Sequence, residues 1–195
     1  MNAGSVGTGN EWITFTKYDD AGRVVLTASP SALSGYDENK ADLLNNQSGN
    51  YQYLNDSSGL ITTRAYSTST TATDSTAGTV SGFASSTAIR QGETASDVSQ
   101  STQTYIGRTV NSVATYLPAS STVYRNADGT GGITTTNAYT WVTGTRQLES
   151  ITTTNPTVTT TQNGSNAATS EVVVLNNFQQ PIWIKDAAGY IKLDA

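Results

Sequence analysis

Residues 11–28, EWITFTKYDDAGRVVLTA, decide the fold. From Glu11 to Tyr18 the side chains alternate: Trp12, Thr14, Thr16 and Tyr18 share one face, and Ile13 and Phe15 the other. Alternation with a period of two is the pattern of a β-strand. Asp19-Asp20-Ala21-Gly22 follows, and then Arg23 to Ala28, a second run of β-branched and aliphatic residues. In a type I turn, Asp or Asn is favoured at the first position, because its side chain bonds nearby backbone N–H groups. Gly is favoured at the fourth position, where the chain often needs positive φ. Between two strand-like runs, such a turn closes an antiparallel hairpin with a bulge.

The same unit recurs. Tyr51 to Asn55 leads into Asp56-Ser57-Ser58-Gly59 and then Leu60 to Thr68. Thr122 to Arg125 leads into Asn126-Ala127-Asp128-Gly129, with Ile133 to Val142 beyond. Pro181 to Lys185 leads into Asp186-Ala187-Ala188-Gly189 and Tyr190 to Leu193. An eroded fifth copy follows the strand Val172 to Leu175, with Asn176 at the first turn position and Gln179 where Gly belongs. The predicted structural turn residues are therefore Asp19, Gly22, Asp56, Gly59, Asn126, Gly129, Asp186 and Gly189.

Composition points the same way. The chain holds 34 threonines among 195 residues, with 35% hydrophobic and 13% charged residues. Threonine is β-branched and suits half-exposed strand positions. One short helix is expected near residues 36–44, in GYDENKADLL, where Ser34 or Gly35 would cap and Asp37 and Glu38 would face the positive end. Residues 67–78 are almost wholly Ser, Thr and Ala and read as a linker-like break or an exposed polar hairpin turning near Asp74 to Gly78. Ser99 to Tyr116 falls in one or two strands, Arg146 to Thr154 in another, and Asn163-Gly164 marks a turn. The expected class is all-β: successive antiparallel hairpins in a twisted ribbon spanning 11–195, after a flexible tail at 1–10.

The chemistry is bounded by absences. With no Cys and no His, thiol nucleophiles, thiolate metal sites and Ser-His-Asp catalysis are excluded. The net charge is −5 and the cations stand singly, so no patch neutralises phosphates, and nucleic acid is not an expected partner. No apolar run is long enough to cross a bilayer as a helix, so no membrane insertion is expected. Residues 1–10 carry no apolar core of a signal peptide, so an export signal of the parent protein would lie upstream.

Tyr18-Asp19-Asp20-Ala21-Gly22-Arg23 resembles the signature Y-D-x-x-G-R of the YD-repeat, or Rhs-repeat, family. Tyr51-x-Tyr53 before Asp56-x-x-Gly59, and Trp183 before Asp186-x-x-Gly189, are similar to relaxed copies. The recognisable units cover about half the chain; the Thr-rich remainder is similar to the divergent repeats of very large bacterial proteins. The resemblance implies a structural role: a long β-sheet ribbon that spirals into a shell around a toxin cargo in bacterial members, and a related shell at the cell surface in animal teneurins. The self-cleaving segment of bacterial members carries an Asp-Pro pair, and none occurs here. The expected location is the cell surface or the exterior. The expected partners are neighbouring repeats, or other copies pairing through edge strands.

Two other readings stand beside this one. Tyr51, Tyr53, Tyr139, Trp141 and Trp183 would suit an adhesive or glycan-binding module if they formed one stacking platform, although aromatics on a sheet face more commonly pack. A carboxylate-pair glycan hydrolase needs two carboxylates facing across a cleft, and the adjacent Asp19 and Asp20 of a strand turn point apart. The oxygen-rich loop at Asn126 to Gly131 hints at Ca²⁺, but Tyr124 and Thr135 fall where terminal ligands belong, so a plain turn is expected. A Lys–Asn isopeptide at Lys17 or Lys185 is a further possibility that spacing alone does not test. No catalytic residue, metal or cofactor is assigned, and the chain is not expected to be an enzyme.

Overall fold

The computed structural model describes residues 6–8 and 12–193. Its strands are β1 (Val6–Thr8), β2 (Phe15–Tyr18), β3 (Val24–Ala28), β4 (Gly35–Asp37), β5 (Asn46–Gln47), β6 (Asn50–Tyr51), β7 (Leu60–Tyr66), β8 (Ala84–Gln91), β9 (Val98–Val110), β10 (Val113–Tyr124), β11 (Gly132–Trp141), β12 (Leu148–Thr154), β13 (Ser170–Leu175), β14 (Pro181–Lys185) and β15 (Ile191–Leu193). Eleven of them form one antiparallel sheet in the order β15-β14-β13-β12-β11-β10-β9-β8-β7-β3-β2, while β1 with β4 and β5 with β6 form two small ladders. The only helices among the described residues are two 3₁₀ turns, Pro30–Ala32 and Thr160–Gln162. The all-β class and the hairpin character follow the expectation from sequence.

The chain divides into two compact units: Met1–Ala65 with Ser86–Gln100 and Asn126–Thr130, and Tyr66–Ser85 with Ser101–Arg125 and Gly131–Ala195. The first unit has a small apolar core. Leu26, Ala28, Ala32, Leu44, Leu54 and Ile61 are buried together, with Phe15, Leu33, Tyr51 and Tyr53 packed against them. On β3, Leu26 and Ala28 alternate with half-buried Val25 and Thr27, and Ala28 lies directly opposite Ile61 of β7. Gly59 lets the chain pass against the backbone of Ser31 and Ala32, with no room for a Cβ atom and with φ at +82°.

The second unit is built from long strands. β9 and β10 pair through a two-residue turn in which Asn111 and Ser112 both have positive φ, 51° and 62°. Such a turn matches the strand twist, and Asn tolerates the left-handed region better than most residues. Tyr105 and Ala119 are buried here, with Val80. The Tyr105 hydroxyl donates to the Ala84 carbonyl at 2.7 Å, and its ring meets Phe83 edge-on at 5.1 Å. From Gly132 onward no described residue is buried.

Three expectations are corrected. Residues 36–44 are not a helix. Gly35–Asp37 is strand β4, and two tight turns follow, Lys40 N–H to the Asp37 carbonyl and Leu43 N–H to the Lys40 carbonyl. The physical reason is side-chain competition. Asp37 Oδ1 accepts the Asn39 N–H, and the Asp42 carboxylate accepts the N–H groups of Asn45 and Asn46, so the donors a helix would use are already engaged. Part of the expected flexible tail is a strand. Val6–Thr8 pairs with Gly35–Asp37, where an extended segment satisfies its backbone groups, and the rest of residues 1–10 lies outside the described residues. The segment before Asp56 is not the first arm of a hairpin. β6 pairs with β5, and β7 pairs with β3, so Asp56 to Gly59 is a connection between ladders. The Asp56 carbonyl accepts from the N–H and hydroxyl of Thr94 instead of closing a turn.

Residues 67–83 make a folded excursion. Ser67 N–H donates to Phe83 O, Gly82 N–H to Ser67 O, and Thr71 and Ala72 N–H groups to Thr79 O. The reversal sits at Thr73–Thr76, where Thr73 Oγ1 accepts the Thr76 N–H, just ahead of the predicted Asp74 to Gly78.

Candidate functional site

The recurring turn is the most repeated local structure of the chain. At Asp19, Gly22 N–H donates to the Asp19 carbonyl and Asp19 N–H to the Arg23 carbonyl, both at 2.9 Å. Oδ1 of Asp19 accepts the N–H groups of Ala21 and Arg23, and Oδ2 meets the Arg23 guanidinium at 2.6 Å. Asp186 repeats this: its carboxylate accepts the Ala188 and Tyr190 N–H groups, and Gly189 N–H donates to its carbonyl. Asn176 does the same with its amide oxygen toward Phe178 and Gln180, and Gln179 adopts φ +62° in the place of Gly. At Asn126 the backbone bonds are kept, Gly129 N–H to Asn126 O and Asn126 N–H to Thr130 O, but Asp128 takes over as the side-chain acceptor, bonding Thr130. The glycines at 22, 59, 129 and 189 all have positive φ, between 75° and 91°.

These hydrogen bonds hold carboxyls below their usual range. The Arg23 guanidinium lowers Asp19, the Asn39 backbone N–H lowers Asp37, and the Thr130 hydroxyl lowers Asp128. A depressed folded-state pKa contributes stability that is present above the ordinary value of 3.8 and is lost as pH falls through the lower folded value. The melting temperature is therefore expected to fall as pH drops below about 4. The triple variant Asp19→Asn, Asp37→Asn, Asp128→Asn should show a shallower acid slope by calorimetry, and an unchanged slope would count against these bonds.

The five candidate aromatics do not assemble into one platform. Tyr51 and Tyr53 belong to the first unit. The Tyr51 N–H is held by both oxygens of Glu93, its hydroxyl accepts from Lys17 Nζ at 2.7 Å, and Tyr53 packs on the core. Tyr139, Trp141 and Trp183 belong to the second unit. Tyr139 and Trp141 lie 6.3 Å apart on β11, with the Tyr139 hydroxyl donating to Pro118 O at 2.7 Å. Burial pushes the Tyr139 phenol up, opposed by a hydrogen bond with Asn137. The Arg108 guanidinium sits 5.9 Å from the Trp141 ring and 3.8 Å from the Asp74 carboxylate. Trp183 points the other way. The register aligns Tyr139, Ile151, Val173 and Ile184 on one face, and Thr140, Ser150, Val174 and Trp183 on the other.

Asp19 is engaged with Arg23, while Asp20 is exposed beside it. Among the described residues no group of three His, Cys, Asp or Glu side chains is placed to hold a metal. A groove of about 430 Å³ in the second unit is lined by residues such as Arg125, Gly132, Thr134, Pro156 and Val158, with no carboxylate.

Sequence reading missed one arrangement. On β9 to β13, hydroxyls align across strands: Thr104, Ser120, Thr136, Thr154 and Ser170 fall in a single cross-strand column. Thr104 and Ser120 share a hydrogen bond at 2.7 Å, as do Thr122 with Thr134 and Thr140 with Ser150. The signal was the pentapeptide ITTTN, present at both 133–137 and 151–155. Comparison with protein-family models, with curated proteins and with solved structures finds no match to this chain.

Proposed function

We propose that the chain is a structural segment of a large surface-exposed or secreted YD/Rhs-type protein, acting as β-sheet scaffold and not as an enzyme. The observation that carries this reading is the one turn used again and again: the same pair of backbone bonds closes the chain at Asp19, Asn126, Asn176 and Asp186. A catalytic domain has no need of repeated identical closures, whereas a ribbon extended hairpin by hairpin does. Among the described residues, the end strands of the sheet, β2 and β15, each have one ladder neighbour. Neighbouring repeats or other copies pair at such edges, because unpaired N–H and C=O rows recruit further strands.

An antibody raised against this chain tests the proposal in the producing cells. The expected result is a band far larger than 195 residues would give, removed when intact cells are treated with protease or recovered from the medium. A band of this chain's own size, protected inside the cell, would refute the reading.

A further inference from the structure

Between β10 and β13, one face of the second unit's sheet carries no charged side chain among the described residues; the next charge on that face is Lys185 of β14, opposite Val172. Along Ser120–Tyr124 of β10, Gly132–Thr140 of β11, Ser150–Thr154 of β12 and Ser170–Val174 of β13, the register places Ser120, Thr122, Thr134, Thr136, Thr152 and Thr154 on that face with Ala138, Thr140, Ser150 and Ser170. Tyr124, Gly132, Val172 and Val174 complete it, so Asp, Glu, Lys and Arg are all absent. A solvated protein surface is ordinarily about a quarter to a third charged. None of these residues is buried, and Thr134, Thr136, Ala138 and Thr140 are exposed. Among the described residues, the hydroxyls of Thr136, Thr152 and Thr154 have no hydrogen-bond partner within the protein, although their neighbours pair at 2.7 Å.

The spacing is set by the ladder. Neighbouring strands stand about 4.8 Å apart, and residues i and i+2 on one strand about 6.8 Å apart. Hydroxyls and γ-methyls therefore recur on a two-dimensional grid, and oxygen rows on the faces of hexagonal ice repeat at comparable spacings. Each threonine offers a donor and two acceptors to water, and its methyl fills the space between bonded waters. A charge in the grid would hold its own hydration shell and break the order. Adjacent strands rotate by about 20°, so the matched patch is about three strands wide, β10 to β12.

We propose that this threonine face binds the surface of ice. Other occupants fit less well. A sugar polymer stacks on exposed aromatic rings; from β10 to β13 the face holds one ring, Tyr124, with its hydroxyl 3.4 Å from Thr102 Oγ1, and half-buried Trp183 stands beyond the patch on β14, opposite Val174. A second copy needs about 800 Å² from each partner, and four strands by five residues supply roughly 330 Å². Ice binding does not depend on the chain's belonging to a shell.

The test is inclusion of the full chain, fused to a fluorescent protein, in a slowly growing ice hemisphere. The wild-type chain is expected to enter the ice, and the double variant Thr136→Lys, Thr154→Lys to be largely excluded. Val123→Lys, an exposed position on the opposite face, should behave as wild type. Should the double variant lose its β signature by circular dichroism, Thr134→Lys, already exposed, serves in its place, with a several-fold loss of inclusion expected. Exclusion of the wild type, or equal inclusion of the folded lysine variants, would overturn the proposal.

Discussion

Gly59→Ala is expected to cost the first unit more than about 3 kcal/mol, whereas Gly22→Ala should cost only about 1–2 kcal/mol. Both glycines have positive φ, +82° and +75°, so both substitutions carry the left-handed penalty. They differ in what a methyl would meet. At Gly22 nothing lies within 4 Å, while at Gly59 the new atom would overlap the main chain at Ser31 and Ala32. Main chain does not swing aside as a flexible side chain does. Ala32 belongs to the buried cluster, and Asn55 N–H donates to its carbonyl, so the displacement would reach the core. Hydrogen exchange of the β3 amides reports this unit directly: protection should collapse in Gly59→Ala and persist in Gly22→Ala. Equal loss in the two would show that the close approach at Gly59 is unimportant.

Ile61→Ala is the second large effect. Ile61 is fully buried in a core of six residues, opposite Ala28. Truncating a buried Ile to Ala typically costs 2–5 kcal/mol, so about 3 kcal/mol is expected. A core this small has few neighbours able to close around the cavity. Ile133→Ala on β11, where 40% of the residue is exposed, should cost under about 1 kcal/mol. Urea unfolding of the two variants would separate them. A loss at Ile133 matching that at Ile61 would mean that β11 packs more tightly than its exposure indicates.

The turns were legible because their determinants are local. Asp19 and Asp186 each satisfy the N–H groups two and four residues ahead, and a positive-φ residue follows at the fourth place. Nothing distant is required. The helix expected at 36–44 fails for a related reason: Glu38, Lys40 and Ala41 favour a helix by propensity, but Asp37 and Asp42 bond the nearby backbone first. The role of Asp56 was not legible, because its carbonyl bonds Thr94, 38 residues away. Nor was the face of each aromatic. Register shifts at Lys17/Tyr18, Pro118/Ser120, Thr140/Trp141 and Val174/Leu175 interrupt simple alternation, and a bulge changes the side on which later residues emerge. Counting by twos from Tyr139 therefore could not place Trp183. The hydroxyl column is a product of pairing as well, since Thr136 meets Thr154 only through the register of β11 and β12.

The strands from β11 onward contain no buried residue. Each is held by its ladder neighbours and by the turn that delivers it, so no shared interior constrains how many there are. A tandem duplication or loss of one strand–turn–strand unit would leave the remaining ladder bonds intact. Such a stretch is free to change length over generations by whole hairpins while its point mutations pass with little penalty. The six-residue core around Ile61 has no such freedom. Lineages of this chain should accordingly differ in hairpin number beyond β10 and agree in length between β2 and β7.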